Sequence, residues 1–196
     1  MKKHSCGSIL YTIYNNDIYI VLGLEKGEWF PFKGTREKGE TNEQTAIREI
    51  YEETCKIVKI DSVELKCKYS TKRKHYHIGV TFISFDKINK FHVERKSIAD
   101  EPYLKNKWIY LEKNEIKFFK LDNIFNNNFH EITYIPIRYY YSHLKNIQNK
   151  IHNQLKIMNS PNNLSIYQFS PNTNYQKKSP YIFSNGNVDR MPTIIV

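Results

Sequence analysis

Three glutamates, Glu49, Glu52 and Glu53, follow Arg48 within five residues. In a helix, at about 100° per residue, they share one arc of about 100°. Such crowding is unfavourable, because like charges at neighbouring helical positions repel. The carboxylates also fall late in the helix, where the macrodipole disfavours anions. Something positive must compensate. Arg48 can pair with one glutamate, and a divalent ion suits the rest, because Mg²⁺ is held by a few carboxylates together with water and substrate phosphates. Read from charge pattern alone, a solvated acidic helix face remains the alternative.

The elements around these residues follow from periodicity and turn chemistry. Residues 7–23 alternate or run apolar through Ile9, Tyr11, Ile13, Ile18, Ile20 and Leu22, with Asn15-Asn16-Asp17 between them, and predict a β-hairpin. A loop follows through Trp29, Phe30, Pro31 and Gly34. Thr41-Asn42-Glu43-Gln44 then has the spacing of a capping box, so a helix begins there. Its apolar side is Ala46, Ile47, Ile50 and Tyr51, the side expected to be buried, with the glutamates turned away from it.

Strands are expected over roughly 57–70 and 75–86, the second covered on both faces. A polar loop from Asp100 leads to Trp108-Ile109-Tyr110-Leu111, a short strand or the start of an element. Tyr140, Leu144, Ile147, Ile151, Leu155 and Met158 mark an amphipathic helix over about 138–158. Residues 161–196, rich in Asn, Ser, Pro and Gln, predict a loosely ordered polar tail, so the domain is 1–160.

The stretch from Gly34 to Cys55 resembles the box of the Nudix hydrolase family, Gly-x5-Glu-x7-Arg-Glu-apolar-x-Glu-Glu-x-Gly-apolar. It matches at Gly34, Glu40, Arg48, Glu49, Ile50, Glu52 and Glu53. It departs at Cys55, where the family has a helix-ending glycine, and at Lys56, where an apolar residue is usual. A side chain in the left-handed cap conformation costs on the order of 1 kcal/mol, which puts the form of this turn in question.

The resemblance covers roughly residues 5–115 and implies an α/β fold, a Nudix-type α/β/α sandwich with a mixed sheet, here with a C-terminal helix added. It also implies a pyrophosphohydrolase using Mg²⁺ or Mn²⁺, held by Glu49, Glu52, Glu53 and the backbone carbonyl of Lys33. Arg48 would orient a glutamate, and Glu52 would be the general base. Glu101, or else Asp100 or Glu94, would supply a carboxylate from the loop opposite the box. A noncatalytic Nudix module that binds nucleotide, RNA or protein is the competing class, and such a module would be expected to lose the glutamates that are all present here.

Other residues have a functional and a plainer reading. Trp29 and Phe30 could stack on a base, or pack in the core. Lys72-Arg73-Lys74 could bind phosphates, or form a charged hairpin tip. His75 and His77 share a strand face, but no third metal ligand is suggested nearby.

Lys and Arg number 30 against 20 Asp and Glu, for a net charge of +10. Residues 161–196 hold three basic residues and one acidic, leaving 27 against 19, a net +8, in the domain. That balance favours polyanionic partners. Cys6, Cys55 and Cys67 have no Cys-x-x-Cys spacing, which argues against a disulfide framework or zinc finger. With no long apolar run at the start, a soluble cytoplasmic protein without a membrane partner is expected.

Among family substrates, the charge favours capped RNA, with mRNA decapping as the reaction. Diphosphoinositol polyphosphates and dinucleoside polyphosphates are the alternatives, and DNA is not expected as a partner. The Asn, Ile, Lys and Tyr bias is similar to that of large DNA viruses, several of which carry decapping Nudix enzymes, and to that of protozoa. Oligomeric state is not legible.

Overall fold

Strands β1 (Lys3–Tyr14) and β2 (Asp17–Glu25) form the expected hairpin in the computed structural model, which describes residues 2–158. Leu10 to Tyr14 pairs with Val21 to Asp17, and the turn places Asn15 and Asn16 at positive φ, which Asn tolerates better than most residues. Past Leu10 and Val21 the hairpin splays. β3 (Glu28–Phe30) continues beside β2, and β4 (Phe32–Thr35) lies antiparallel to the first half of β1. Pro31, which has no N–H to give a ladder, separates the two short strands.

On its other edge β1 pairs in parallel with β6 (Lys74–Phe82), which pairs with the outer strand β5 (Cys67–Ser70). β7 (Glu115–Lys120) pairs antiparallel with β2. The sheet is therefore mixed, as expected.

Adjacent residues on each strand feed different layers, as the period of two requires. Ile9, Ile20 and Ile78 join Ile137, Tyr140 and Leu144 of α4 (Glu131–Met158). Leu10, Val21 and Phe32 instead join Ile50 of α1 (Asn42–Glu53), Ile88 of α2 (Phe85–Ile88), and Phe91 and Ile98 of α3 (Phe91–Asp100). Helices thus cover both faces of the sheet, an α/β/α sandwich.

Several expectations need correction. Of the strand expected at 57–70, only Cys67–Ser70 forms. Ile57, Val58 and Val63 are buried among the helices instead, and the Val63 N–H donates to Glu43 Oε1 at 3.2 Å. The second strand ends at Phe82. Its apolar pattern runs on because Phe85, Ile88 and Phe91 belong to α2 and α3, which the sequence reading missed. Trp108 to Tyr110 form a 3₁₀ turn (Lys107–Tyr110) rather than a strand, with Asn106 left-handed before it, and the strand is β7.

α4 begins seven residues earlier than the expected 138 and runs through Pro136. Proline cannot donate to the carbonyl four residues back. Here that carbonyl, of Ile132, accepts from Tyr69 Oη at 2.9 Å, so the helix continues without an orphaned acceptor. Among the described residues no helix is long and apolar enough to cross a membrane. The tail expected over 161–196 lies outside the described residues.

Candidate active site

The box is held between β4 and α1. Thr41 caps α1 as the sequence predicts: its hydroxyl accepts from the Gln44 N–H at 3.1 Å, and Gln44 Oε1 accepts from the Thr41 N–H at 2.8 Å. At the other end Cys55 N–H donates to Glu52 O at 3.0 Å and Lys56 N–H to Tyr51 O at 2.8 Å. These are the two bonds of a Schellman motif. Cys55 (φ 54°) and Lys56 (φ 67°) adopt the left-handed conformation without glycine. The family turn is therefore kept despite the departure in sequence. The Cys55 thiol is buried and donates to Tyr110 O at 3.1 Å.

The carboxylate face of α1 is not turned to solvent. Glu49 and Glu53 are buried together with Ala46 and Ile50, while Tyr51 is only partly covered. The expected burial of the apolar side alone is corrected: β4 packs over the glutamates. Gly34 explains how, since a Cβ there would lie 2.0 Å from the Glu49 carboxyl carbon. The glycine that opens the box thus makes room for its first glutamate.

Arg48 organises the cluster. Its guanidinium donates to Glu40 Oε1 (Nε, 2.7 Å) and Oε2 (3.1 Å), to Glu49 Oε1 (2.8 Å), to Glu52 Oε2 (2.9 Å) and to the carbonyl of Thr35 (3.2 Å). Hydrogen bonding from Arg48 holds Glu40 down at about 2, and the guanidinium is itself raised, first by its bond to Glu40. Burial acts oppositely on Glu49, pushing it up to about 7 against the pull of Arg48.

Glu53 is fully buried. Its Oε2 accepts from the backbone N–H of Lys33 at 2.6 Å, so the Lys33 peptide does lie against the box. Its Oε1 lies 3.1 Å from Lys113 Nζ without the alignment of a hydrogen bond. Burial pushes Glu53 up to about 8, against the opposing pull of Lys113.

Glu53, Glu25 at the end of β2 and the exposed Glu112 offer oxygens that all lie within 4.8 Å of one another. The sequence reading missed Glu25, Glu112 and Lys113. Their one sequence signal is position: each flanks the end of a strand, where loops gather at a site. Glu101 is placed differently. It is exposed, accepts from the Tyr103 N–H at 3.3 Å, and lines a cavity with Glu94, Cys55 and Lys56.

The donor set suits a hard divalent cation. It consists of carboxylate oxygens at a partly buried site, one buried oxygen lacks a hydrogen bond, and burial first, then neighbouring carboxylates, raise Glu49 and Glu53. Glu49, Glu52, Glu53, Glu25 and Glu112 would hold such an ion.

Of the aromatic pair, Phe30 faces this centre, with Lys33 Nζ 4.8 Å and Lys113 Nζ 5.7 Å from its ring centroid. Trp29 packs edge-on against Phe119, and its carbonyl accepts from Thr133 Oγ1 at 2.7 Å. Lys72, Arg73 and Lys74 lie at the β5–β6 turn, and Lys74 Nζ donates to Thr35 Oγ1 at 3.2 Å. His4 does join His75 and His77, its Nδ1 3.0 Å from His77 Nε2. The three imidazoles do not bring their donors together as the Glu25, Glu53 and Glu112 oxygens are.

A family model described as NUDIX domain matches residues 8–131. Among solved structures, the chain is similar to a Caenorhabditis elegans Ap4A hydrolase in a binary complex (18% identity, TM-score 0.50, covering 74% of this chain and 98% of that one). It is also similar to the NUDIX domain of Shewanella oneidensis NrtR in complex with ADP ribose (14% identity, TM-score 0.52, 74% and 89%). No curated protein sequence matches. At these identities the structural likeness concerns the fold, which agrees with the architecture above. With an intact glutamate box between β4 and α1 and a family match over most of its length, the chain belongs to the Nudix hydrolase family.

Proposed function

We propose that this pyrophosphohydrolase acts on 5′-capped RNA, adding water across the triphosphate bridge to release m7GDP and a 5′-monophosphorylated RNA. The observation that carries the reading is the link from Lys74 Nζ to Thr35 Oγ1. It sets the basic turn Lys72-Arg73-Lys74 beside β4, the strand that brings Lys33 to Glu53 and Phe30. Cations therefore run from the box to the β5–β6 turn, a path for an anionic chain longer than a dinucleotide.

At the centre, bound Mg²⁺ or Mn²⁺ supplies Lewis-acid stabilisation of phosphate oxygens and acidifies a water. The chain's own residues orient and accept. Arg48 fixes Glu49 and Glu52 through one nitrogen, so the two carboxylates cannot turn independently. Glu52, with 17% of its side chain exposed against 10% for Glu49 and 1% for Glu53, is the most open of the three α1 carboxylates to an attacking water and takes its proton. Phe30 offers a face to the terminal base.

Hydrolysis of a dinucleoside polyphosphate is the second reading, favoured by the Phe30 face at the centre. It needs no cationic path beyond β4. Capped RNA of about 30 nucleotides and free cap analogue, compared at low and moderate salt with Mg²⁺ or Mn²⁺, separate the two. Long RNA should have the higher kcat/KM at low salt and lose that lead as salt rises. Equal efficiency on cap analogue or a diadenosine polyphosphate at both salts would remove the decapping reading.

A further inference from the structure

Lys113 is a lysine whose whole side chain is buried, two residues before β7. Its ammonium lies 2.7 Å from Glu25 Oε2 and 3.1 Å from Glu53 Oε1. The surroundings are built to hold it there. Arg95 Nε donates to the Lys113 carbonyl at 2.9 Å, and the next N–H, of Asn114, donates to Leu24 O at 2.9 Å. Gly23 leaves room for the stem, since a Cβ there would lie 2.7 Å from Lys113 Cγ. A buried charge is retained only where opposite charge meets it, and here Glu25 supplies it at 2.7 Å with a Glu53 oxygen alongside.

Those same two carboxylates belong, with Glu112, to the set whose oxygens lie within 4.8 Å of one another. An ammonium and a divalent ion cannot both sit against Glu53 Oε1 and Glu25 Oε2 without strong repulsion. We propose that Lys113 is a tethered cation that fills the Glu25–Glu53 side of the carboxylate cluster, lowering its affinity for divalent ions and the number of ions it holds. The inference rests on the reading of this cluster as a divalent-metal centre, and makes Lys113 a positioning residue that sets metal occupancy.

Mn²⁺ titration of the substrate-free full chain, followed by electron paramagnetic resonance and calorimetry, tests this apart from turnover. Lys113→Met keeps an unbranched stem of similar length and removes the charge. It should bind Mn²⁺ roughly tenfold more tightly or more, or take up an additional ion per chain, while Lys113→Arg should stay near wild type. If Lys113→Met does not fold, Lys113→Gln, which removes the charge and keeps an N–H donor for Glu25, should also bind Mn²⁺ more tightly than wild type. Unchanged affinity and stoichiometry in whichever of these proteins folds overturns the inference alone. Absence of Mn²⁺ binding in both wild type and variant overturns it together with the metal-centre reading.

Discussion

Arg48 Nε donates to Glu40 Oε1 at 2.7 Å across eight residues of sequence, tying the loop before α1 to the middle of that helix. The Arg48 and Glu40 side chains are 24% and 19% exposed, so water screens the pair only in part. The same guanidinium reaches Glu49, Glu52 and Thr35 O, which makes Arg48 the common support of the loop, the strand and the carboxylates.

Arg48→Ala should therefore lower both stability and turnover. Hydrogen bonds to charged groups contribute about 1.5–3 kcal/mol each at most, and neutral Glu49 can absorb part of the loss, so about 2–3 kcal/mol is expected in urea unfolding. Glu40→Gln keeps a weaker bond to Arg48 and should cost about 1 kcal/mol, with a smaller loss of kcat/KM. An Arg48→Ala protein as stable as wild type would contradict this.

The pH dependence of the metal-free protein follows from Glu49 and Glu53, held at about 7 and about 8 against an ordinary 4.5. Between 4.5 and those values the folded state keeps protons that the unfolded chain has released. Stability then falls as pH rises through this window. Thermal unfolding with chelator at pH 5, 6, 7 and 8 should show a declining Tm, and Glu49→Gln should flatten the decline. Metal binding needs the ionised carboxylates, so the rise in Tm caused by Mg²⁺ should be larger at pH 8 than at pH 6. A Tm that climbs with pH in chelator would refute the assignment.

The elements around the box were largely legible in the sequence because they follow local rules, while the sandwich with its mixed sheet was what the family resemblance implied. The hairpin at Asn15-Asn16, the capping box at Thr41 and the arc of Glu49, Glu52 and Glu53 are set by spacing alone. What was not legible depends on packing. Apolar residues at 57–63 resemble a strand until Cys55 and Lys56 turn the chain beneath the helices. Phe85 to Phe91 continue a strand-like pattern as helix. Glu49 and Glu53 look solvent-facing by helical angle, yet β4 crosses over them because Gly34 has no side chain. Glu25 comes from the end of β2, Glu112 and Lys113 from the entry to β7, and the paired register of these two strands brings them together.

Cys55 tests how firmly the turn after α1 is held. Its φ of 54° is costly for any side chain, while its buried thiol packs and bonds to Tyr110 O. Cys55→Gly removes the backbone cost and the packing together, so the change should stay within about 1 kcal/mol. Cys55→Val places a β-branched side chain at positive φ and should lose roughly 2 kcal/mol or more. Equal stability of the two variants in urea would show that the left-handed turn is not retained in solution.

Glu52 separates the acceptor of the water's proton from the groups that only hold metal. Glu52→Gln keeps the shape of the side chain and can still contact Arg48 through its amide oxygen, so α1 and the Schellman turn should be unaffected and Tm should move by no more than a few degrees. A proton acceptor at the reacting centre contributes typically 10²–10⁴-fold, and kcat should fall by about that factor with KM little changed, because the contact removed matters in the transition state. Glu53→Gln acts differently. It weakens a buried oxygen donor, so its deficit should appear as a raised Mn²⁺ requirement and shrink at high Mn²⁺. Titrating each variant with Mn²⁺ distinguishes the roles: a Glu52→Gln deficit that excess Mn²⁺ restores would leave Glu52 a metal ligand only and move the proton acceptor to Glu112, the exposed carboxylate of the cluster.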